Sequence, residues 1–189
     1  MAHTAINNLQ NSTTHFVSIN ASDRTSGNYS NDGAAATNSM AFGVGASVAK
    51  GADYSVAFGN GATVSADGGA AVAMGNKSSV TAENGVAVGN SASVSGSNGV
   101  AIGNSAAASA TNGVAIGNGA SVTTDQGVAI GSGSVASAPT STVAMTVAGT
   151  SYETAGGTAY STVSVGASGK ERTITNVAAG QVTSSSTDA

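Results

Sequence analysis

Apolar and polar positions alternate in short bursts along residues 39–147, and the bursts recur. A triplet with Ala at its centre begins at Met40, Val56, Val72, Val86, Val100, Val114, Val128 and Val143, in steps of 16, 16, 14, 14, 14, 14 and 15 residues. Its third residue is apolar throughout, from Phe42 to Met145, and Gly follows it in the first seven copies. Six residues after each start stands Ala or Ser (Ala46 through Ser134). Two further on comes a second apolar column: Val48, Val64, Val80, Val94, Ala108, Val122 and Ala136. Fourteen residues cannot hold a pair of helices, but they hold two short strands and two tight turns. Self-similarity at this period predicts stacked laps of a parallel β-solenoid. Seven or eight laps at about 4.8 Å each give a rod of roughly 35 Å.

The two strands of a lap differ in their faces. Around Val94, residues Ala92 and Val94 alternate with Ser91, Ser93 and Ser95, which predicts one dry face and one wet face. The triplets Val86-Ala87-Val88, Val100-Ala101-Ile102, Val114-Ala115-Ile116 and Val128-Ala129-Ile130 are apolar on both faces, since alternate side chains point opposite ways. A roll two sheets thick buries one face of each sheet. The second dry face requires a partner, and a further copy of the same chain is the simplest one, so a closed homo-oligomer is expected. These twelve residues, with Val94 and Val122, are the candidate core and oligomer columns. The pattern leaves open which side of the triplet lines the roll. Asn60, Asn76, Asn90, Asn104 and Asn118 follow the Gly column, where a left-handed conformation is cheap, and are expected to stack as a ladder.

Composition sharpens this picture by exclusion. The chain is 7% charged and 4% aromatic, against roughly 25% charged in an average domain, so an ordinary globular core is not available to it. Its 40% apolar content, mostly Ala and Val, separates it from a disordered Gly/Ser linker. Net charge is −4 with five Lys and Arg, which provides no basic patch for nucleic acid. No apolar run reaches the roughly 18 residues of a membrane helix, and no basic-then-apolar leader is legible. The two histidines, His3 and His15, fall outside the repeats and the nine carboxylates are scattered, so no acid–base pair or triad is legible and no enzyme is expected. Calcium needs six to eight oxygen ligands, yet Asp53, Asp67 and Asp125 do not share a position in the repeat. An ice-binding surface would need a regular Thr ladder; Ser47, Thr63, Ser79, Ser93, Ala107, Ser121 and Val135 do not form one. No cofactor or metal is expected.

The ends carry different text. Ala5, Ile6 and Leu9 have coiled-coil-like spacing, so residues 1–13 read as a tag or coiled-coil-like lead-in. Residues 14–38, with a strand at "THFVSIN" and the polar "GNYSNDGAAATN", read as an N-terminal cap. Pro139 interrupts the pattern, and "TSYETAGGTAYSTVSVG" predicts a hairpin about Gly156-Gly157 within residues 148–168. "GKERTITNVAAG" opens the last segment, residues 169–189. Lys170, Glu171 and Arg172 read by default as a solvated cluster of weak surface charges. Tyr29, Lys50 and Tyr54 lie near the 16-residue laps, where loop residues can carry binding.

The unit "NGVAIGNSASVSGS" resembles the head repeat of trimeric autotransporter adhesins of the YadA-like type. "GKERTITNVAAG" looks like the neck motif that follows such heads, the predicted hairpin resembles the insert some members carry before the neck, and "HFVSIN…GNYSNDGA" is similar to their opening. The resemblance spans almost the whole chain; the 16-residue laps and Thr146 in place of Gly depart from it. It implies an all-β, left-handed parallel β-roll, homotrimeric, at residues 39–147, and a neck at 169–189 leading to a truncated stalk helix capped near Thr187 or Asp188. It implies neck residues Glu171, Arg172, Ile174, Asn176 and Val177, with Glu171 or Arg172 pairing between subunits. It also implies a bacterial surface fibre, anchored in the outer membrane through a C-terminal region absent here, that binds host matrix, cells or surfaces. The alternative within the family is a non-binding spacer in the fibre.

Overall fold

The structure is a computed structural model that describes residues 28–181 and 183. The strand predicted at Thr14–Asn20, the lead-in at 1–13 and the stalk start near Thr187 lie outside the described residues. Seven laps each contribute a three-residue and a two-residue strand. They are β1 Met40–Phe42 and β2 Ser47–Val48, β3 Val56–Phe58 and β4 Thr63–Val64, β5 Val72–Met74 and β6 Ser79–Val80. They continue as β7 Val86–Val88 and β8 Ser93–Val94, β9 Val100–Ile102 and β10 Ala107–Ala108, β11 Val114–Ile116 and β12 Ser121–Val122, and β13 Val128–Ile130 and β14 Val135–Ala136. After them come β15 Ala144–Val147, β16 Thr150–Glu153 and β17 Val163–Ser164. The described residues contain no helix.

The laps stack into two parallel sheets, one of eight strands (β1-β3-β5-β7-β9-β11-β13-β17) and one of seven (β2 to β14). Register follows the repeat: Val100 pairs with Val86 and Val114, Ala101 with Ala87 and Ala115, Ile102 with Val88 and Ile116. The chain therefore forms the predicted all-β parallel β-roll.

Alanine decides which face points inward. Ala57, Ala73, Ala87, Ala101, Ala115 and Ala129 are wholly buried, opposite Val48, Val64, Val80, Val94 and Val122 of the second sheet. The core is one Ala against one Val per lap, or against Ala at Ala108 and Ala136, which suits a narrow roll. The small column from Ala46 to Ser134 is buried too, and its serines are satisfied: Ser78 Oγ donates to the Gly75 carbonyl at 3.1 Å. In the two wider laps Ala52, Ala71 and Ser55 fill the extra loop. Ser55 Oγ donates to Gly68 O at 2.9 Å and accepts from Ala71 N–H at 3.0 Å.

Each lap turns twice. At the first turn the Gly column stacks backbone on backbone: a Cβ at Gly103 would meet the Gly117 carbonyl oxygen at 2.4 Å, so only Gly fits. The expectation that the following Asn is left-handed is corrected. The residue after it takes that conformation, as at Lys77, Ser91, Ser105 and Gly119 (φ 54, 53, 53 and 63°). The second turn has its own left-handed column, including Asn84, Asn98, Asn112 and Gln126.

The eighth triplet is corrected as well. Val143-Ala144-Met145 does not continue the eight-stranded sheet; β17 does, with Val163 paired to Val128 and Ser164 to Ala129. A fourteen-residue step would put Thr140 at the left-handed position held by Asn112 and Gln126, which a β-branched residue avoids. The chain leaves the roll, forms a hairpin and returns. That hairpin pairs β15 with β16 and turns at Ala148-Gly149 (φ 49 and 83°), not at Gly156-Gly157, because both central residues of its two-residue loop have positive φ. At the front, Ala34 bridges to Val48 and adds a partial rung before β2.

Candidate functional site

The predicted columns divide between two faces of one sheet. Ala87, Ala101, Ala115 and Ala129 join Val94 and Val122 in the core. Val86, Val88, Val100, Val114 and Val128 point outward and are half-buried, while Ile102, Ile116 and Ile130 remain 40, 38 and 47% exposed. Phe58 and Met74 extend the third-position column at 47 and 44% exposed, and Phe42 stacks on Phe58 with ring centroids 5.0 Å apart. The outward face of the eight-stranded sheet is thus an uncharged stripe of Val, Ile, Phe and Met running along the roll. Water is a poor neighbour for a patch of this extent.

The other outward surface is wet. Asn76 Nδ2 donates to Asn60 Oδ1 at 3.0 Å, Asn90 to Asn76 at 2.9 Å, Asn104 to Asn90 at 3.0 Å and Asn118 to Asn104 at 3.2 Å, so the expected ladder is present. The sequence reading missed a second ladder, in which Asn84 donates to Asn98 and Asn98 to Asn112 at 3.0 and 3.1 Å. Its signal was available: Asn two residues before Val in three consecutive laps. The ladders run in opposite senses, the first donating toward earlier laps and the second toward later ones. Tyr54, on the first wider lap, and Tyr29, ahead of it, are exposed, and Tyr54 adopts φ 61° beside Asp53, whose Oδ1 accepts the Thr37 N–H at 2.9 Å.

The residues expected to form a neck, Glu171 to Val177, follow the roll's last rung. Ile174 and Val177 are exposed and Asn176 has φ 61°. Glu171 Oε1 accepts the Gly169 N–H at 2.8 Å; its own backbone N–H and that of Gly169 hold its carboxyl below the ordinary glutamate value. Arg172 is exposed, yet its side chain folds back on the roll. Its guanidinium donates to the carbonyls of Ser132 (2.5 Å) and Val165 and to Ser134 Oγ at 3.2 Å. Among the described residues, no three His, Cys, Asp or Glu side chains gather as a metal would need.

Comparison with known proteins agrees with this geometry. The family described as YadA head domain repeat (2 copies) matches residues 34–62, 51–71, 66–92, 95–120 and 122–143, more than half of the chain. Among solved structures, the C-terminal YadA-like domain of a Burkholderia pseudomallei protein is 42% identical, covering 55% of this chain and 44% of that one, with a TM-score of 0.39. No curated protein matches. The matched segments run over the laps of the roll, and the chain belongs to the YadA head family as the head region of a YadA-like trimeric autotransporter adhesin.

Proposed function

We propose that three copies of this chain pack their outward Val/Ile stripes around a common axis, and that the trimer serves bacterial attachment by multivalent binding. The observation that carries the reading is the dry outward face of the eight-stranded sheet, continuous over seven laps and without charge. A closed three-fold arrangement buries that face in every copy and leaves none open to further association. What stays outside is the Ser/Thr/Asn surface with its two amide ladders, displayed three times on a rigid rod. Weak contacts to matrix proteins, cells or abiotic surfaces then add through effective concentration. In this reading the roll is an extracellular passenger segment, residues 169–181 form the neck, and an outer-membrane anchor is supplied by a further C-terminal region.

Two measurements test it. Light scattering should give the mass of three chains, and Ile102→Asp, which puts a charge into the buried stripe, should shift the mass toward one chain while the β signal in circular dichroism persists. A monomeric parent chain would sink the trimer. Binding of the parent to immobilised fibronectin, collagen, laminin or bare polystyrene supports attachment; binding to none of them assigns the segment to a spacer role in the fibre.

A further inference from the structure

A stack of laps ends in backbone groups with no next lap to pair with. Inside the roll two carbonyl columns accept from the following lap. Asn104 O and Asn118 O accept from Gly119 and Gly133 N–H, both at 2.8 Å, and Ile102 O and Ile116 O from Gly117 and Gly131 N–H, at 2.8 and 2.7 Å. Ser132 occupies the Asn position of the last complete lap, and Val165 is the residue in register after Ser164 on the final rung. Ser132 O is the next member of the first column; in the second, Ile130 O comes next and accepts from Ser134 Oγ at 2.8 Å, with Val165 O one rung beyond it, and no further lap follows among the described residues. Ser132 O and Val165 O are both reached by one side chain, Arg172.

Sterics point the same way independently. A Cβ on Gly117 would meet the backbone of Gly131 at 2.5 Å, because the next lap lies directly on the Gly column. On Gly131 no backbone lies so close: the neighbours are Ser134 Oγ at 3.1 Å and then the Arg172 guanidinium, with Cζ and Nη1 both at 3.5 Å. The planar fork therefore lies where an eighth lap's backbone would lie over Gly131, and it supplies the Ser132 carbonyl with the donor that backbone would have supplied.

The front edge has a counterpart. Met40 N–H donates to Ser55 O and Phe42 O accepts from Gly59 N–H, so those residues face the second lap, and Ala41 and Gly43 face away from it. The Asn28 side-chain amide donates to the outward Ala41 O at 3.0 Å and, at 3.3 Å, to Gly43 O, which also accepts the Ala46 N–H of its own turn, and its Oδ1 accepts the Gly33 N–H at 3.0 Å.

We infer that Asn28 and Arg172 are edge caps that close the two ends of the roll, Arg172 also fastening the outgoing chain over the last lap. The inference concerns how the rod ends and stands apart from what its surface binds. Amide hydrogen exchange on the full chain tests it, with Arg172→Gln, Arg172→Lys and Asn28→Asp. Arg172→Gln should speed exchange about tenfold or more at Val128 and Val135, whose N–H groups donate to Thr162 O and Gly166 O of the final rung. Ser93 and Ala107, mid-roll, should keep parent protection. Asn28→Asp, which retains the acceptor for Gly33 and loses both donors, should speed Ala35 and Val48 while sparing the far end. Should the Gln variant lose protection everywhere, Arg172→Lys decides, since it keeps the charge without the fork: faster exchange confined to the last lap supports the cap. Unchanged exchange at Val128 and Val135 in the folded variant overturns it. So does a fall in trimer mass with those amides unchanged, which would assign the guanidinium to contacts between chains.

Discussion

From Val56 to Ala136 every strand of the roll carries one buried residue, while in the hairpin of β15 and β16 all eight strand residues are exposed. Both regions are built from Val, Ala, Thr and Ser, with tight turns that need positive φ. The difference lies in repetition. A lap is too small to fold alone, but each stacked lap finds its Ala opposite a buried Val or Ala and its backbone paired with its neighbours. Two strands joined by a two-residue turn have only each other, and such a hairpin is marginal in water. Stability in this chain is thus a property of the column and not of the strand.

The sharpest way to break the comparison is to place a charge inside the column. Ala101 is fully buried with no polar partner in reach, so Ala101→Asp should cost several kcal/mol and abolish the cooperative melt followed by circular dichroism. Survival of the parent melting profile would mean that Ala does not line the core.

Glycine gives a finer test within a single turn. Gly103→Ala puts a methyl 2.4 Å from the Gly117 carbonyl oxygen, a backbone atom that cannot rotate away, at φ 137°. Gly119→Ala meets nothing within 4 Å and bears only its left-handed strain at φ 63°, about 1–2 kcal/mol. Thermal unfolding should therefore rank Gly103→Ala well below Gly119→Ala. Equal losses would show that conformation alone, and not the stacking of laps, demands glycine at that column.

The hairpin should hardly register on the same scale. Met145 and Tyr152 are paired on its apolar side, yet each is more than half exposed. The double variant Met145→Ser, Tyr152→Ser should shift the single chain's stability within about 0.5 kcal/mol, as surface substitutions do. A larger drop in the assembled protein than in a monomeric Ile102→Asp background would mean that another copy covers the hairpin.

The columns were readable because Ala101 or Gly103 recurs at a fixed step, and a repeated step needs no knowledge of distant contacts. What the pattern left open was direction, since Val100-Ala101-Ile102 offers no polar residue to mark the outside. Side-chain size settles it: Ala fits between two sheets, and Ile does not. The eighth triplet misled for a similar reason. Val143-Ala144-Met145 carries the right residues at nearly the right step, and its exclusion depends on Thr140 being unsuited to a turn that the triplet itself does not contain. Arg172 was the least legible, because its partners at 132, 134 and 165 are distant in sequence and two of them are carbonyls, which every residue has.

Glu171, next to that arginine, provides the smallest test, just past the roll's last rung. Its own N–H and the Gly169 N–H lower its carboxyl from the ordinary value, and the side chain is wholly exposed. A depressed carboxylate contributes stability that is present above its unfolded value and is lost as pH falls through the folded one. The turn at Gly169–Glu171 should accordingly loosen on acidification below the usual glutamate range, with the roll unaffected. The Gly169 amide, followed by NMR as pH is lowered, should shift with the titration of Glu171 and cease to do so in Glu171→Gln. If the central laps around Val94 respond over the same range, the segment at Gly169–Glu171 and the roll are coupled, and the division between a self-stacked column and an exposed appendage fails at this end of the molecule.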